Sequence, residues 1–161
     1  MLAYLGMPSP ASVTYDFETS STPGFSNGGG NPPYAWTRSA GRTPSRFPGP
    51  SAGVGGSGVF YFAEASSRSP GDLFKMNFDT CATAGQIAHA VDFSYHMHGA
   101  AMGELRVVDA AGQQRWILRG DQGPEATLRH GEPRVVHQRS LCDVHLRQGE
   151  RRREKVRGAR R

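Results

Sequence analysis

The feature that most constrains this chain is a two-residue alternation of large apolar side chains that glycine or proline interrupts after a handful of residues. Val91, Phe93, Tyr95 and Met97 alternate with Asp92, Ser94, His96 and His98, and Val13, Tyr15 and Phe17 alternate with Thr14, Asp16 and Glu18. A period of two belongs to strands that bury one face, so both runs are expected as half-buried strands. Residues 59–63 (Val-Phe-Tyr-Phe-Ala) are apolar at every position, as a central strand covered on both sides would be. Shorter strands are expected at 34–39, 73–78, 104–109 and 114–119. Between them lie a 23–33 loop with Gly28-Gly29-Gly30 and Pro32-Pro33, a 43–58 loop with Pro44, Pro48 and Pro50, and a tight turn at Ala110-Ala111-Gly112. Gly and Pro number 21 and 11 of 161 residues, well above the average share of about 12%. Short strands, many turns and no amphipathic helix predict an all-β fold, an antiparallel β-sandwich. Tyr34, Trp36 and Phe47 argue against reading 19–58 as a linker that never packs.

A length of 161 residues suits one domain. No apolar run approaches the roughly 18 residues of a membrane-crossing helix, and no heptad pattern persists. Met1 to Met7 has neither a basic leader nor an h-region of the usual length, which points to a protein kept inside the cell or to a sequence that has lost its beginning. The net charge of +5 is unevenly placed. Residues 1–123 hold eight Lys or Arg against nine Asp or Glu, and residues 124–161 hold eleven against five. A nucleic-acid surface within the folded domain needs basic residues gathered on one face; the excess here lies in the last segment. That segment has no aromatic residue and ends in an Arg-rich run. The division expected is therefore a leader or flexible segment at 1–12, a β domain at 13–123, and a disordered basic tail at 124–161 that binds polyanions through charge alone. In a competing arrangement Val135-Val136 and residues 141–146 supply a replacement strand.

The motifs that could carry chemistry are sparse. Gly53-Val54-Gly55-Gly56-Ser57-Gly58 fits the G-x-G-x-x-G string, but a Pro/Ser loop precedes it and a strand follows, the reverse of what a dinucleotide needs. It reads as a loop between strands. His96 and His98 share a strand face with Asp92, without the further ligand or the H-E-x-x-H spacing that would make a metal site of them. There is no G-x-S-x-G elbow for a nucleophile. Cys81 and Cys142 are too few for a disulfide-stapled miniprotein and wrongly spaced for zinc.

Five blocks in order give the sequence a family likeness. They are Asp16-Phe17-Glu18; Trp36-Thr37-Arg38 with Gly41-Arg42-Thr43-Pro44-Ser45 and Gly49-Pro50; Tyr61-Phe62-Ala63-Glu64-Ala65-Ser66; Phe93-Ser94-Tyr95-His96-Met97-His98-Gly99 with Met102-Gly103-Glu104-Leu105-Arg106-Val107; and Trp116 with Gly120-Asp121-Gln122-Gly123. Together they resemble the MAM domain, the extracellular module of meprins, neuropilins and receptor-type tyrosine phosphatases. The resemblance implies a jelly-roll β-sandwich with Phe93, Tyr95 and Met97 in its core and a turn between Gly99 and Gly103. It also implies a structural cation, Ca2+ or Na+, for which Asp16 and Glu18 are the candidate ligands; the alternative is that these carboxylates hydrogen-bond loop backbone. No catalytic residue and no required cofactor is expected.

The departures from the family are specific. Where family members usually carry cysteines, this chain has Pro23-Gly24-Phe25 and His89-Ala90-Val91, so the usual disulfides do not transfer. The late strands of the family have no counterpart after Gly123, as a truncation or frame shift there would leave them. The function the resemblance implies is non-catalytic recognition or adhesion at the cell surface or outside the cell, through contacts with other proteins, like domains among them, and with no small-molecule substrate. Two alternatives remain: a piece of a modular extracellular enzyme such as a meprin-like metalloprotease whose catalytic domain lies elsewhere, and a basic-tail nucleic-acid-binding protein.

Overall fold

A computed structural model describes residues 13–28, 33–44, 49–79 and 91–123, with the backbone of 129–131 and 143–149. Every regular element among them is a strand, apart from one 3-10 turn at Val54–Gly56. The strands are β1 (Phe25–Asn27), β2 (Thr37–Ser39), β3 (Phe60–Phe62), β4 (Phe74–Asp79), β5 (Phe93–Tyr95), β6 (Glu104–Val108), β7 (Gln114–Arg119), β8 (Arg129–Gly131) and β9 (Asp143–Gly149). They form a five-stranded sheet in the order β1-β4-β9-β6-β7 and two pairs, β2-β3 and β5-β8. All strand pairs are antiparallel, and the fold is all-β.

Register shows why the large sheet has an inside. Met76 lies opposite Asn27 and Leu146, and Val107 opposite Leu146 and Trp116. Directly opposed residues, and residues two apart along a strand, share a face. Phe25, Phe74, Met76, Phe78, Leu105, Val107, Trp116 and Leu118 therefore lie on one face. The other carries Ser26, Lys75, Asn77, Arg106, Ile117 and Arg119. On the apolar face Val107, Met76 and Phe74 are 0%, 2% and 3% exposed. Aromatic side chains from outside the sheet cover it. Tyr61 of β3 meets Phe25 at 5.4 Å between ring centroids, and Phe93 of β5 stands edge-on to Trp116 at 5.2 Å. Tyr15 and Phe17 pack on Phe78 at 5.0 and 6.2 Å. Tilted and edge-on rings at such distances add directional attraction to the area they bury.

The turns follow their sequence signals. Between β6 and β7, Gly112 takes φ +79 and donates to the Asp109 carbonyl, while the Asp109 side chain accepts the Gln113 N–H at 2.8 Å. Met102 N–H donates to the Gly99 carbonyl at 3.1 Å, closing the turn between β5 and β6. The G-x-G-x-x-G string forms the 3-10 turn that leads into β3.

Several expectations are corrected. No strand runs through 13–18: Asp16 Oδ1 accepts the Glu18 N–H, and Phe17 sits at φ +64, a conformation incompatible with extended chain. β1 arises within the Gly/Pro-rich stretch that was expected to be loop, because Gly24 at φ +77 swings the chain alongside β4. β3 is not a central strand; it belongs to a pair, with Phe60 buried and Tyr61 and Phe62 half-buried. Phe93 and Tyr95 are half-buried, and Met97, 6% exposed, is the buried member of that run. The face opposite them is no exposed stripe, since Ser94, His96 and His98 are half-buried too.

The largest correction concerns 124–161, expected to be disordered. It supplies β8 and, at the middle of the main sheet, β9. Without β9 the facing edges of β4 and β6 would leave their backbone groups unpaired, and Val144 and Leu146 repeat at the interval of two that a strand needs. Residues 1–12, Cys81, Cys142, Val135-Val136 and the Arg-rich end lie outside the described residues.

Candidate functional site

Asp16 and Glu18 lie in an irregular segment that is tied down at three points. The Asp16 carboxylate accepts the backbone N–H two residues on, at 3.1 Å, as aspartates do when they start a turn. Glu18 Oε1 accepts the Val59 N–H at 2.9 Å. It fits there because the preceding residue is Gly58, at φ +73, where a Cβ would collide with that carboxylate. Arg38 of β2 donates from Nε to the Phe17 carbonyl at 3.0 Å and from Nη2 to the Glu18 carbonyl at 2.7 Å. Both carboxylates thus bond loop backbone, and the strand face expected to align them is replaced by a turn.

At the other end of the sheet Asp121 joins two segments, its own loop and residues 98–99. Its Oδ1 lies 3.0 Å from His98 Nδ1 and accepts the N–H groups of Gly99 at 3.1 Å and Gly123 at 2.9 Å. The Gly123 N–H, then His98, then the Gly99 N–H hold its carboxyl down at about 2. Partial burial, and next the neighbouring His98, push His96 below the ordinary imidazole value. The two rings stand 6.5 Å apart, nearly perpendicular. An Asp–His pair is the orienting half of a general-base relay, which also needs a nucleophile on the second ring nitrogen. Among the described residues no hydroxyl or thiol hydrogen-bonds His98, and the pair clasps the loop after β5 to the loop after β7. No three His, Cys, Asp or Glu side chains among the described residues form a group that could hold a metal.

Two further carboxylates serve β7 and its hairpin. Glu104, on β6, lies 2.8 Å from Arg106 Nη2 and 3.5 Å from Arg119 Nε; the Arg106 hydrogen bond leads in holding its carboxyl below the usual range. Asp109 is 2.6 Å from Arg115 Nη2. Burial works to raise its carboxyl, but the Gln113 amide, Arg115 and the Ala111 amide outweigh it and keep it low. Sequence reading singled out none of these pairs: Glu104 and Arg106 lie two apart on β6, and Arg115 and Arg119 reach their carboxylates from β7 only once the register is set. Asp109 alone carried a local signal, an Asp opening a turn three residues before Gly112. A small cleft of about 210 Å³ lies beside β1, lined by Gly24, Phe25, Ser26, Asn77 and Asp79. No family model matches the chain.

Proposed function

We propose that the chain is a non-catalytic recognition or adhesion module, built on a jelly-roll type β-sandwich and working at the cell surface or outside the cell by binding another protein, a second copy of itself included. The observation that carries this reading is the use made of the five blocks behind the MAM resemblance. Arg38 of the second block holds Phe17 and Glu18 of the first. Phe17 packs edge-on against Tyr61 of the third at 5.1 Å. His98 and Gly99 of the fourth bond Asp121 of the fifth, and Gln122 N–H donates to the Met97 carbonyl at 2.7 Å. The residues best suited to chemistry are thereby spent on joining segments, and recognition falls to the surface around them. The cation at Asp16 and Glu18 remains part of this proposal, as does weak, salt-sensitive attraction of polyanions to the basic end of the chain.

Beads coated with the purified chain test the reading. They are expected to aggregate with each other and not with beads carrying an unrelated domain, and the chain is expected to leave peptidase, esterase and phosphatase substrates untouched. Dispersed beads, or turnover abolished by one Ser or His substitution, would overturn it.

A further inference from the structure

The polar face of the five-stranded sheet is cationic at one end. Register sets Lys75 of β4 opposite Arg147 of β9, Arg147 opposite Arg106 of β6, and Arg106 opposite Ile117 of β7. Neighbouring strands lie about 4.8 Å apart, so three cationic residues follow one another in a line across the strands. Arg119, its side chain 66% exposed, stands in the next row of the same face, opposite Glu104. Like charges directly opposite one another destabilise a sheet. The fold by itself gains nothing from such a line, and an anionic ligand relieves it.

Compensation within the chain is incomplete. Glu104 is one carboxylate shared by two guanidinium groups, with Arg106 Nη2 at 2.8 Å and Arg119 Nε at 3.5 Å. Among the described residues no carboxylate forms an ion pair with Lys75. Lys75, Arg106, Arg119 and Arg147 thus set four positive charges against the single negative charge of Glu104, a net of +3. The aspartates of this face, Asp79 and Asp143, stand opposite each other at the far end of β4 and β9. Four residues of strand put Asp79 about 13 Å from Lys75, beyond the screening length of about 8 Å at physiological salt. Residues 124–161 hold the charge excess of the sequence, and β9 brings part of it into the sheet.

The face also restricts the kind of anion. Its cations are spread over four strands, about 14 Å from β4 to β7, which suits an extended chain of anionic groups and not one small anion. The strands place no Phe, Tyr or Trp on this side, so unpaired bases find no ring to stack on. Three of the four cations are arginines, whose planar fork grips oxyanions through paired N–H donors. We infer that this face binds a linear sulfated polysaccharide, lying across the strands from Lys75 towards Arg119. From the recognition reading the inference takes only the extracellular setting; the ligand class and the surface go beyond it.

Titration calorimetry of the full chain with a size-fractionated heparin fragment, repeated over a range of NaCl concentrations, tests it. Binding should weaken steeply with salt. Lys75→Gln combined with Arg147→Gln should melt like the parent and bind about tenfold more weakly, with a shallower salt slope. Should that variant not fold, Arg119→Gln at the exposed position carries the test, with a loss of about threefold or more. Arg157→Gln, Arg160→Gln and Arg161→Gln together should leave most of the affinity. An oligodeoxynucleotide of matched length and charge should bind about tenfold more weakly than heparin. Absence of heparin binding, undiminished affinity in the sheet variants, or a loss confined to the variant at 157, 160 and 161 overturns the inference, the last returning polyanion attraction to the basic end. Equal affinity for the oligodeoxynucleotide overturns the choice of a sulfated glycan. Bead aggregation reads separately: dispersed beads with heparin binding intact overturn the protein-recognition reading and leave this face in place.

Discussion

Deleting residues 124–161 is expected to abolish cooperative folding of the remainder. β9 makes six register pairs with β4 and five with β6. An antiparallel ladder supplies about one backbone hydrogen bond per pair, and each contributes about 1 kcal/mol net. The loss is then about 10 kcal/mol, as large as the whole stability of an ordinary domain at about 5 to 15 kcal/mol. It is also a topological loss, since β1-β4 and β6-β7 would face each other across an empty strand position with two new open edges. Circular dichroism melts of the full and shortened chains are the assay, with amide exchange of 143–149 in the full chain as the direct readout. The full chain should melt in one transition with those amides protected, and the shortened chain should melt broadly or aggregate. A shortened chain with an unchanged, sharp transition would refute the reasoning and return the segment to the disordered tail that its composition suggests.

Three smaller effects follow from the same contacts. Val107→Ala removes about two methyl groups at about 0.8 kcal/mol each and leaves a cavity where nothing is exposed, so denaturant melts should show a loss of about 2 to 3 kcal/mol. Val13→Ala, at a residue 61% exposed, should stay within about 0.5 kcal/mol, and equal losses would mean the face assignment is wrong. Asn27→Ala strips both partners from the Trp36 backbone and should cost about 2 kcal/mol, read from the shift of the urea midpoint; no shift would show that water replaces the amide. Asp121 has a folded value of about 2 against an ordinary 3.8, so its contribution is full above about pH 4 and is lost as pH falls towards 2. Asp121→Asn should flatten that acid limb of stability, and identical limbs in the two proteins would refute the clasp.

Alternation and punctuation are local properties of the chain, and they located most of the strands. β7 begins and ends where residues 114–119 were expected to, β6 lies within 104–109, and the Ala110-Ala111-Gly112 turn sits between them, because an Asp before a positive-φ glycine specifies a tight turn without outside help. The cation candidates were harder to place, since whether Asp16 and Glu18 share a strand face depends on Phe17, whose conformation is held by Arg38 from β2. Neither the clasp of Asp121 on His98 nor the two arginine pairs on β7 could be named in advance, as their members lie on separate elements whose alignment is a property of the sheet. The sequence by itself determined an all-β chain with one strongly apolar set of alternating residues. Only the tertiary structure decided that a basic, aromatic-free segment fills the centre of the main sheet. Composition measures what a segment can bury alone; the hydrogen bonds that β4 and β6 offer to a strand between them exist only when both are in place.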